Sequence, residues 1–246
     1  MQHRIGNGVF YVGDCFDVMR SLSDGAADMV LCDLPYGTTR NKWDSILPLE
    51  ELWVQYWRLC RGAIVLTAAQ PFTSFLVMSQ LKSFKYDWVW DKVKGVGFLN
   101  AKKMPMRNHE SVLVFGKSRI PYHPQKTTGH ERKTTYRGAH LQTDSYGFMK
   151  GDYHYSSTER YPRSIQVFST DTQNSSLHPT QKPVALFEYL IRTYTNEDDL
   201  VLDNCAGSGT TAIAAENAGR RWICIEKDPE YAAKAVERIC RHVDGW

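Results

Sequence analysis

Long apolar runs are missing from this sequence. No stretch of its 246 residues approaches membrane-spanning length, and residues 1–25, MQHRIGNGVFYVGDCFDVMRSLSDG, lack the uninterrupted apolar core of a secretory signal. We therefore expect a soluble, cytoplasmic protein rather than a membrane or secreted one. The length suits one large domain, or a domain with an insert, and internal repeats are also absent.

Paired metal-binding motifs are missing as well. The six cysteines are spread along the chain without a CxxC pair, and Cys32, Cys205 and Cys224 lie in or beside apolar runs. We therefore predict reduced, mostly buried thiols rather than zinc ligands. Four of the eight histidines fall within residues 118–177, but they have no companion cysteines and no metal-like spacing. No metal site is expected.

What the sequence does contain is an alternation of short apolar runs and amphipathic stretches. Seven runs rich in β-branched or aromatic residues predict strands, and helical spacing of apolar residues separates most of them. This alternation predicts an α/β fold with a mainly parallel sheet covered on both faces. Asp228 is the predicted N-cap of the last helix, with Pro229 at its first position. The predicted strands are residues 9–12, 28–32, 63–67, 86–90, 111–115, 200–203 and 221–225, and the predicted helices are residues 49–60, 71–82, 183–194, 210–218 and 229–242.

Residues 118–177 break this alternation. They have no sustained hydrophobic period, contain little Leu, Ile or Val, and are rich in Tyr, His, Ser, Thr and Gly. They carry eight Lys or Arg against five Asp or Glu, so the net charge of +3 lies in this window. Two interpretations stay open: an irregular inserted module whose basic and aromatic side chains contact nucleic acid, or a solvated polar loop region.

A glycine-rich turn follows the predicted strand at residues 200–203. The stretch LVLDNCAGSGTTAIAA, residues 200–215, is typical of a strand, turn and helix, and it fits a loose dinucleotide-binding pattern with Glu226 as the distant acidic residue. Asp203 favours a different ligand, because a carboxylate there repels a pyrophosphate but suits an ammonium or sulfonium group. S-adenosylmethionine carries both cations and a ribose. A nicotinamide-dependent dehydrogenase and a turn used only for packing are the alternatives at this point.

A second polar motif, DLPYG at residues 33–37, follows the buried-looking Met29, Val30 and Leu31. Pro and Gly alone would explain a tight turn at the end of a strand. The alternative is an active site at the carboxyl end of a parallel sheet, where ligands of open α/β folds bind. In that case residues 33–37 and the loop near Gly207 meet across one cleft.

Seven motifs in order along the chain resemble those of the amino-group DNA methyltransferases. DLPYG precedes the insert and the glycine loop follows it, an order similar to the β-class of that family. The resemblance covers nearly everything except the insert and implies a circularly permuted, Rossmann-like S-adenosylmethionine methyltransferase sheet of seven strands. The motifs are GDCF at 13–16, DLPYG at 33–37, WDK at 90–92, RNHESVLVFGK at 107–117, HPTQKP at 178–183, DNCAGSGTT at 203–211 and IEKD at 225–228.

The resemblance also implies a division of the chain. Residues 1–117 would form the catalytic half of the methyltransferase domain and residues 178–246 its cofactor-binding half, with residues 118–177 as a target-recognition insert. Double-stranded DNA is the expected partner, and a homodimer is allowed by analogy with β-class relatives. Neither a membrane nor a metal is expected.

At the DLPY motif the resemblance implies four catalytic residues. The Asp33 carboxylate and the Leu34 backbone carbonyl would accept the two N–H bonds of an exocyclic amine, and Pro35 would fix that backbone. Tyr36 would offer an aromatic face to a base extruded from the duplex. Positioning would supply most of the rate, because the methyl donor leaves as a neutral thioether that requires no protonation.

The resemblance implies that the cofactor is S-adenosylmethionine and that both halves of the cleft bind it. Asp203 and the loop glycines would face its methionine end, Glu226 its ribose and Asp14 its adenine. Lys182 of the HPTQKP motif would approach its carboxylate. The full set of expected cofactor-binding residues is Asp14, Cys15, Asp33, Lys182, Asp203, Cys205, Ala206, Gly207, Ser208, Gly209, Thr210 and Glu226.

The target base is the least constrained of these expectations. DLPY resembles the adenine-N6 version of the motif, whereas Ser in place of Asp33 is more usual in cytosine-N4 enzymes. The expected reaction is therefore methyl transfer to adenine N6 at specific DNA sites, as in restriction–modification. Cytosine-N4 transfer on the same scaffold is the nearest alternative. A DNA-binding module without catalysis is a third, and the intact Asp33 and glycine loop argue against it.

Overall fold

The computed structural model describes residues 1–37, 45–137, 142–143, 147–148, 152–170 and 181–245. The chain forms two compact units. The larger comprises Met1–His123 and Ser164–Trp246, and the smaller comprises Pro124–Arg163. Among the helices in the described ranges, none combines the length and apolar character that crossing a membrane requires.

The larger unit is built on one sheet, which has nine strands within the described residues. In spatial order they are β1 (Gln2–Ile5), β2 (Gly8–Val12), β13 (Arg221–Glu226), β12 (Leu200–Asp203), β3 (Ala27–Asp33), β4 (Cys60–Ala68), β6 (Arg107–Phe115), β5 (Phe84–Val96) and β11 (Ile165–Val167). The five strands from β2 to β4 in this order pair in parallel. β6 is antiparallel to both of its neighbours, β1 is antiparallel to β2, and β11 is parallel to β5.

All seven predicted strands are present in this sheet, and the expected mainly parallel α/β fold is confirmed. Two short edge strands, β1 and β11, were not predicted. β11 lies within the stretch that the sequence analysis assigned to the insert, yet its residues pair with Val89, Trp90 and Asp91 of β5. The strand therefore belongs to the larger unit, and the smaller unit is shorter than residues 118–177.

Six α-helices accompany the sheet in the described part of the chain, and five of them match the predicted ones closely. The additional helix is α1. Asp228 caps α6, because its carboxylate accepts hydrogen bonds from the backbone N–H groups of Glu230 at 2.9 Å and Tyr231 at 3.1 Å. The helices are α1 (Cys15–Ser21), α2 (Leu49–Leu59), α3 (Phe72–Ser79), α4 (Val184–Tyr194), α5 (Thr210–Ala218) and α6 (Pro229–Asp244).

The sheet separates two hydrophobic clusters, and β3 shows how its residues divide between them. Met29 and Leu31 belong to the cluster that contains residues of α4, α5 and α6. Val30 and Cys32 point the other way and belong to the cluster that contains residues of α1, α2 and α3. All four side chains are fully buried, as expected for a strand that is covered on both faces.

The smaller unit consists of short antiparallel pairs. β7 (Lys133–Arg137) pairs with β10 (Tyr153–Ser157), and β8 (Gln142–Thr143) pairs with β9 (Gly147–Phe148). An isolated bridge joins Thr127 to Arg160. These strands have no hydrophobic period that would predict them, because they are short and rich in polar residues.

Candidate active site

The carboxyl ends of β3 and β12 lie side by side in the sheet, since Val201 and Leu202 pair in parallel with Met29 and Val30. Both strand ends open into one cavity of about 570 Å³ in the larger unit. Of the residues predicted for the site, all except Gly209 line this cavity. The DLPY motif and the glycine loop, far apart in sequence, therefore share one cleft.

Asp33 ends β3 and receives three hydrogen bonds from side chains. Its Oδ1 accepts from the Tyr36 hydroxyl at 2.8 Å and from the Thr67 hydroxyl, and its Oδ2 accepts from Lys182 Nζ at 2.7 Å. A carboxylate offers about four acceptor positions. Asp33 therefore keeps about one position for a further donor, and its side chain is 24% exposed.

Tyr36 lines the cavity, and contacts of its hydroxyl and its ring hold it in place. The hydroxyl also lies 3.2 Å from Thr67 Oγ1 and 3.3 Å from Glu110 Oε2. Its ring stacks on Phe72 at a centroid distance of 5.5 Å, and Lys182 Nζ lies 5.4 Å from the ring centre. Burial raises the pKa of Tyr36 well above its ordinary value, and the Asp33 charge adds to the shift. The phenol therefore acts here as a neutral hydrogen-bond donor.

A chain of alternating charges runs from Asp33 to Lys92. Lys182 Nζ lies 3.4 Å from Glu110 Oε2, and Lys92 Nζ donates to Glu110 Oε1. Burial alone would raise the pKa of Glu110, but Lys182 and Lys92 outweigh it and hold that pKa below the ordinary value. Burial alone would lower the pKa of Lys182, but Asp33 and Glu110 outweigh it and raise that pKa. Both shifts favour the charged forms of Glu110 and Lys182.

Glu110, Lys92 and Thr67 were not among the predicted site residues. The first two lie in the motifs RNHESVLVFGK and WDK, which contributed to the resemblance but gave no role to individual side chains. β6 carries Glu110 and β5 carries Lys92, and Trp90 pairs with Glu110 across the two strands. The motif signal was therefore in the sequence, but only the antiparallel register of β5 and β6 brings these charges to Asp33.

The glycine loop between β12 and α5 uses its two glycines differently. Gly207 has a φ of +50°, and a Cβ placed there would meet no atom within 4 Å, so its backbone borders open space. Gly209 has a φ of +77°, and a Cβ there would lie 2.9 Å from Ile239 Cδ1 of α6. Gly207 therefore opens the cavity to a ligand, whereas Gly209 allows α6 to pack closely.

Asp203 closes the base of the loop. Its carboxylate accepts a hydrogen bond from the Cys205 backbone N–H at 3.0 Å and another from the Thr211 hydroxyl. The residue is only 2% exposed. Burial raises the pKa of Asp203 to about 6. A cation bound beside this carboxylate would favour its ionised form.

Glu226 and Asp14 stand at the strand ends that border the other side of the loop. Glu226 accepts hydrogen bonds from the backbone N–H groups of Gly207 and Asp228, each at 2.9 Å, and burial raises the pKa of its carboxyl. Asp14 is the N-cap of α1 and accepts from Phe16 N at 2.9 Å. Both residues line the cavity, and the hydrogen bonds of their carboxylates fix nearby backbone segments.

The cysteines are all free, as predicted, and three of the six are buried. Cys15 and Cys205 both line the cavity. A hydrogen bond between their thiols lowers the pKa of Cys15 and raises that of Cys205. In the described ranges, no group of three or more His, Cys, Asp or Glu side chains could hold a metal ion.

Part of the HPTQKP motif lies outside the described residues, namely His178, Pro179 and Thr180. Gln181 and Lys182 of the same motif are buried and line the cavity. Pro183 precedes α4 as its N-cap. In this structure Lys182 is bound to Asp33 and Glu110, so its amino group faces the DLPY motif.

The sequence that forms this sheet and cavity matches the model of a known protein family. A family model for DNA methylases of the N6/N4 type matches residues 27–237, which include β3, the DLPY motif, the insert and the glycine loop. The chain belongs to the amino-group DNA methyltransferases. The family assignment suggested by the sequence motifs is thereby confirmed.

Relatives of this methyltransferase cover nearly its whole length. The Type II methyltransferase M1.MboII of Moraxella bovis is 28% identical over 90% of this chain and 92% of its own. The structure of the M1.HpyAVI–SAM complex superposes with a TM-score of 0.63 at 22% identity, covering 94% of this chain and 98% of that one. PvuII DNA methyltransferase, which is cytosine-N4-specific, gives a TM-score of 0.65 at 20% identity, covering 98% and 94%. The two structural matches establish the shared fold.

Proposed function

We propose that this methyltransferase transfers a methyl group from S-adenosylmethionine to adenine N6 at specific sites in double-stranded DNA. The observation that carries the proposal is the position of the Asp33 carboxylate. It lies at the end of β3, in the same cavity as the glycine loop, with about one acceptor position left for an amine.

The cavity suits S-adenosylmethionine in size and in donor chemistry. Its volume of about 570 Å³ lies within the range of small-molecule and cofactor sites. Gly207 leaves the backbone of the loop open to a ligand, and Asp203 supplies a buried carboxylate for a cationic group. When bound there, S-adenosylmethionine would supply a methyl group on a sulfonium centre that leaves uncharged.

The residues of this chain would act mainly by positioning the target amine. Asp33 would accept one N–H bond of the amine and the Leu34 carbonyl the other, which keeps the nitrogen lone pair directed into the cavity. Lys182 and Thr67 hold the Asp33 carboxylate in place through hydrogen bonds. Tyr36, partly exposed in the cavity wall, would contact the extruded base.

Cytosine-N4 transfer is the second candidate. It is favoured by the fold match to the cytosine-N4-specific PvuII methyltransferase. The presence of Asp33 in DLPY, where Ser is more usual in cytosine-N4 enzymes, favours adenine. Both bases present an exocyclic amine, so the same acceptors would serve either reaction.

The inserted segment is proposed to recognise the target sequence. Within the smaller unit, Lys126 pairs with Glu159 at 2.8 Å and lies 4.9 Å from the Tyr161 ring centre, so part of its charge is already engaged. Arg132 and Lys133 are exposed and suit contact with DNA phosphates.

We place the protein in the cytoplasm of a bacterial or phage-infected cell, where it would act in restriction–modification.

The test is to express the protein in a bacterial host that lacks its own DNA methyltransferases. Nucleosides from the host DNA are then separated by mass spectrometry, and long-read sequencing maps the modified sites. N6-methyladenine at one recurring sequence is the expected result. N4-methylcytosine would transfer the assignment to the second candidate.

The matched control is the same expression with Asp33→Ala. This variant should bind S-adenosylmethionine in calorimetry but leave the host DNA unmodified. If folded wild-type protein binds S-adenosylmethionine and modifies neither base, the proposed function is wrong.

A further inference from the structure

The loop that joins β5 to β6 exposes an unusual amount of apolar surface. We call residues 93–107 the β5–β6 tip. Phe98 is 78% exposed and Leu99 is 97% exposed, and four further apolar side chains of the tip are exposed. They are Val93, Val96, Met104 and Met106. Exposed apolar clusters of this kind typically mark interaction sites in soluble proteins.

The tip is also strongly basic. Lys94, Lys102, Lys103 and Arg107 lie in it, and no Asp or Glu occurs from residue 92 to residue 109. Among the described residues, none of these four cations forms an ion pair. A partner for this surface must therefore combine negative charge with an apolar interior.

The tip begins at the mouth of the active-site cavity. Val96 and Arg107, which pair across the two strands, line the cavity together with Glu110. Strand geometry puts Arg107 roughly 10 Å along β6 from Glu110. Since Glu110 contacts Tyr36 in the DLPY motif, the exposed apolar side chains extend outward from the site where the target base would be held.

The backbone at the start of the tip is fixed in an uncommon conformation. Val93 has a φ of +67°, which is rare for a β-branched residue, and its N–H donates to Asp91 Oδ1 at 2.8 Å. The pairing of β5 with β6 shifts register between Asp91 and Val96. A register shift of this type bends the strand that carries it, so the tip does not simply continue the sheet.

We propose that the β5–β6 tip is a DNA-contacting wedge: Phe98 and Leu99 enter the base stack beside the target base, while Lys102 and Lys103 bind the flanking phosphates. The inference rests on the proposed function and adds residues outside the catalytic motif and the insert. DNA offers both features that the tip requires, because its phosphates are anionic and the interior of its base stack is apolar. Inserted apolar side chains stabilise an opened stack, whose unstacking costs a few kcal/mol.

The test compares two double variants that each remove two exposed apolar side chains. Phe98→Ala with Leu99→Ala changes the tip, and Phe75→Ala with Met78→Ala changes the exposed face of α3 as a matched control. Both are assayed on a duplex that contains the mapped target site, and on the same duplex with a mismatch at the target base. S-adenosylmethionine affinity and the urea midpoint of unfolding are measured for each.

On the matched duplex the tip variant should lose about tenfold or more in kcat/KM, because the enzyme must open the stack without the wedge. On the mismatched duplex it should recover to near the wild-type value, since the base is already unpaired. The control should behave like wild type on both duplexes. Lys102→Ala with Lys103→Ala should reduce the slope of log K against log salt by about 2.

Three outcomes would overturn the proposal. The tip variant could match the control on the matched duplex, or its loss could persist on the mismatch, which would indicate a structural role. If, without DNA, the wild-type protein sediments as a dimer and the tip variant as a monomer, a second copy of the chain covers the tip. If wild type and control transfer no methyl group to any DNA, the proposed function itself fails, which separates that failure from failure of the tip.

Discussion

Lys182 Nζ lies 2.7 Å from Asp33 Oδ2, although 149 positions separate the two residues. The family resemblance implied that Lys182 approaches the cofactor carboxylate, whereas in this structure its amino group joins the DLPY motif to the second half of the chain. In the proposed reaction the Asp33 carboxylate accepts hydrogen bonds from both the Lys182 ammonium group and the target amine, so its orientation must leave an acceptor position for each of them. Lys182 therefore fixes the orientation of the Asp33 carboxylate, and Glu110 is a second carboxylate partner of the Lys182 ammonium group.

Replacing Asp33 by Asn should strongly reduce methyl transfer while leaving the affinity for S-adenosylmethionine within about twofold of the wild-type value. The amide keeps the shape of the side chain but loses the charge and one acceptor, so the loss should reach about 100-fold or more in kcat. Radiolabelled methyl transfer and calorimetry measure the two effects. Asp17→Asn, an exposed residue paired with Arg20, is the control and should leave both quantities unchanged.

Replacing Glu110 by Gln should destabilise the fold by about 3 kcal/mol, because two largely buried lysines lose a shared counter-charge. The turnover number should fall while the KM for S-adenosylmethionine changes little, since Lys182 would then pair with Asp33 alone and compete more strongly with the target amine for that carboxylate. Urea unfolding and steady-state kinetics report these changes.

The control for that variant is Glu237→Gln, which makes the same chemical change in an exposed ion pair with Arg241. Surface pairs of this kind contribute little, so the free energy of unfolding should change by less than about 1 kcal/mol. Equal effects of the two substitutions would contradict a positioning role for Glu110.

Cofactor binding should strengthen as pH rises through about 6. Burial raises the pKa of Asp203 to about 6, so its carboxyl is protonated below that pH in the free protein. A bound cation favours the ionised form of Asp203. Below a pH of about 6 the Asp203 carboxyl must therefore release its proton when S-adenosylmethionine binds, which weakens binding. The dissociation constant should be about tenfold larger at pH 5 than at pH 7.

Asp203→Asn isolates this effect in calorimetry. The variant should bind more weakly at pH 7 than wild type, because it lacks the charge, but its affinity should vary little between pH 5 and pH 7. Circular dichroism at both pH values verifies that each protein is folded. The same pH dependence in wild type and variant would assign the titration to another group, such as Glu226.

Gly207→Ala should weaken cofactor binding more than Gly219→Ala does. Both glycines have a positive φ, +50° and +69°, and in both an added Cβ meets no atom within 4 Å. The backbone strain should therefore be similar, about 1 kcal/mol in unfolding free energy. Only Gly207 borders the cavity, whereas Gly219 ends α5. Equal cofactor affinities would show that the loop backbone does not contact the ligand.

The strands and helices that sequence predicted correctly are those with long or regular apolar patterns. β3 and α5 were predictable because residues 29–32 of β3 are continuously apolar and Thr210–Ala218 follows a glycine turn. β1 and β11 were missed because Gln2–Ile5 and Ile165–Val167 are short edge strands with exposed side chains. Their pairing depends on neighbours distant in sequence, which a local pattern does not contain.

The candidate site was predictable where a residue type itself carries the chemistry. Asp33, Tyr36 and the glycine loop were predicted from their motifs, and the structure brings them into one cavity. The roles of Glu110 and Lys92 were not predictable, because their contacts depend on the register between β5 and β6. The N-cap role of Asp14 was also missed, since α1 is only seven residues long and gives no clear helical period.

The late position of β12 and β13 in the chain has a consequence for biosynthesis. Leu200 N donates to Asp28 Oδ2 across 172 positions, and β2 has β13 as its parallel neighbour. While the ribosome is still translating, β2 and β3 therefore lack the strands that will complete the sheet, and their apolar faces need shielding from aggregation. The nascent polypeptide also has no glycine loop, so it should be unable to methylate DNA until residues 200–226 have emerged and folded.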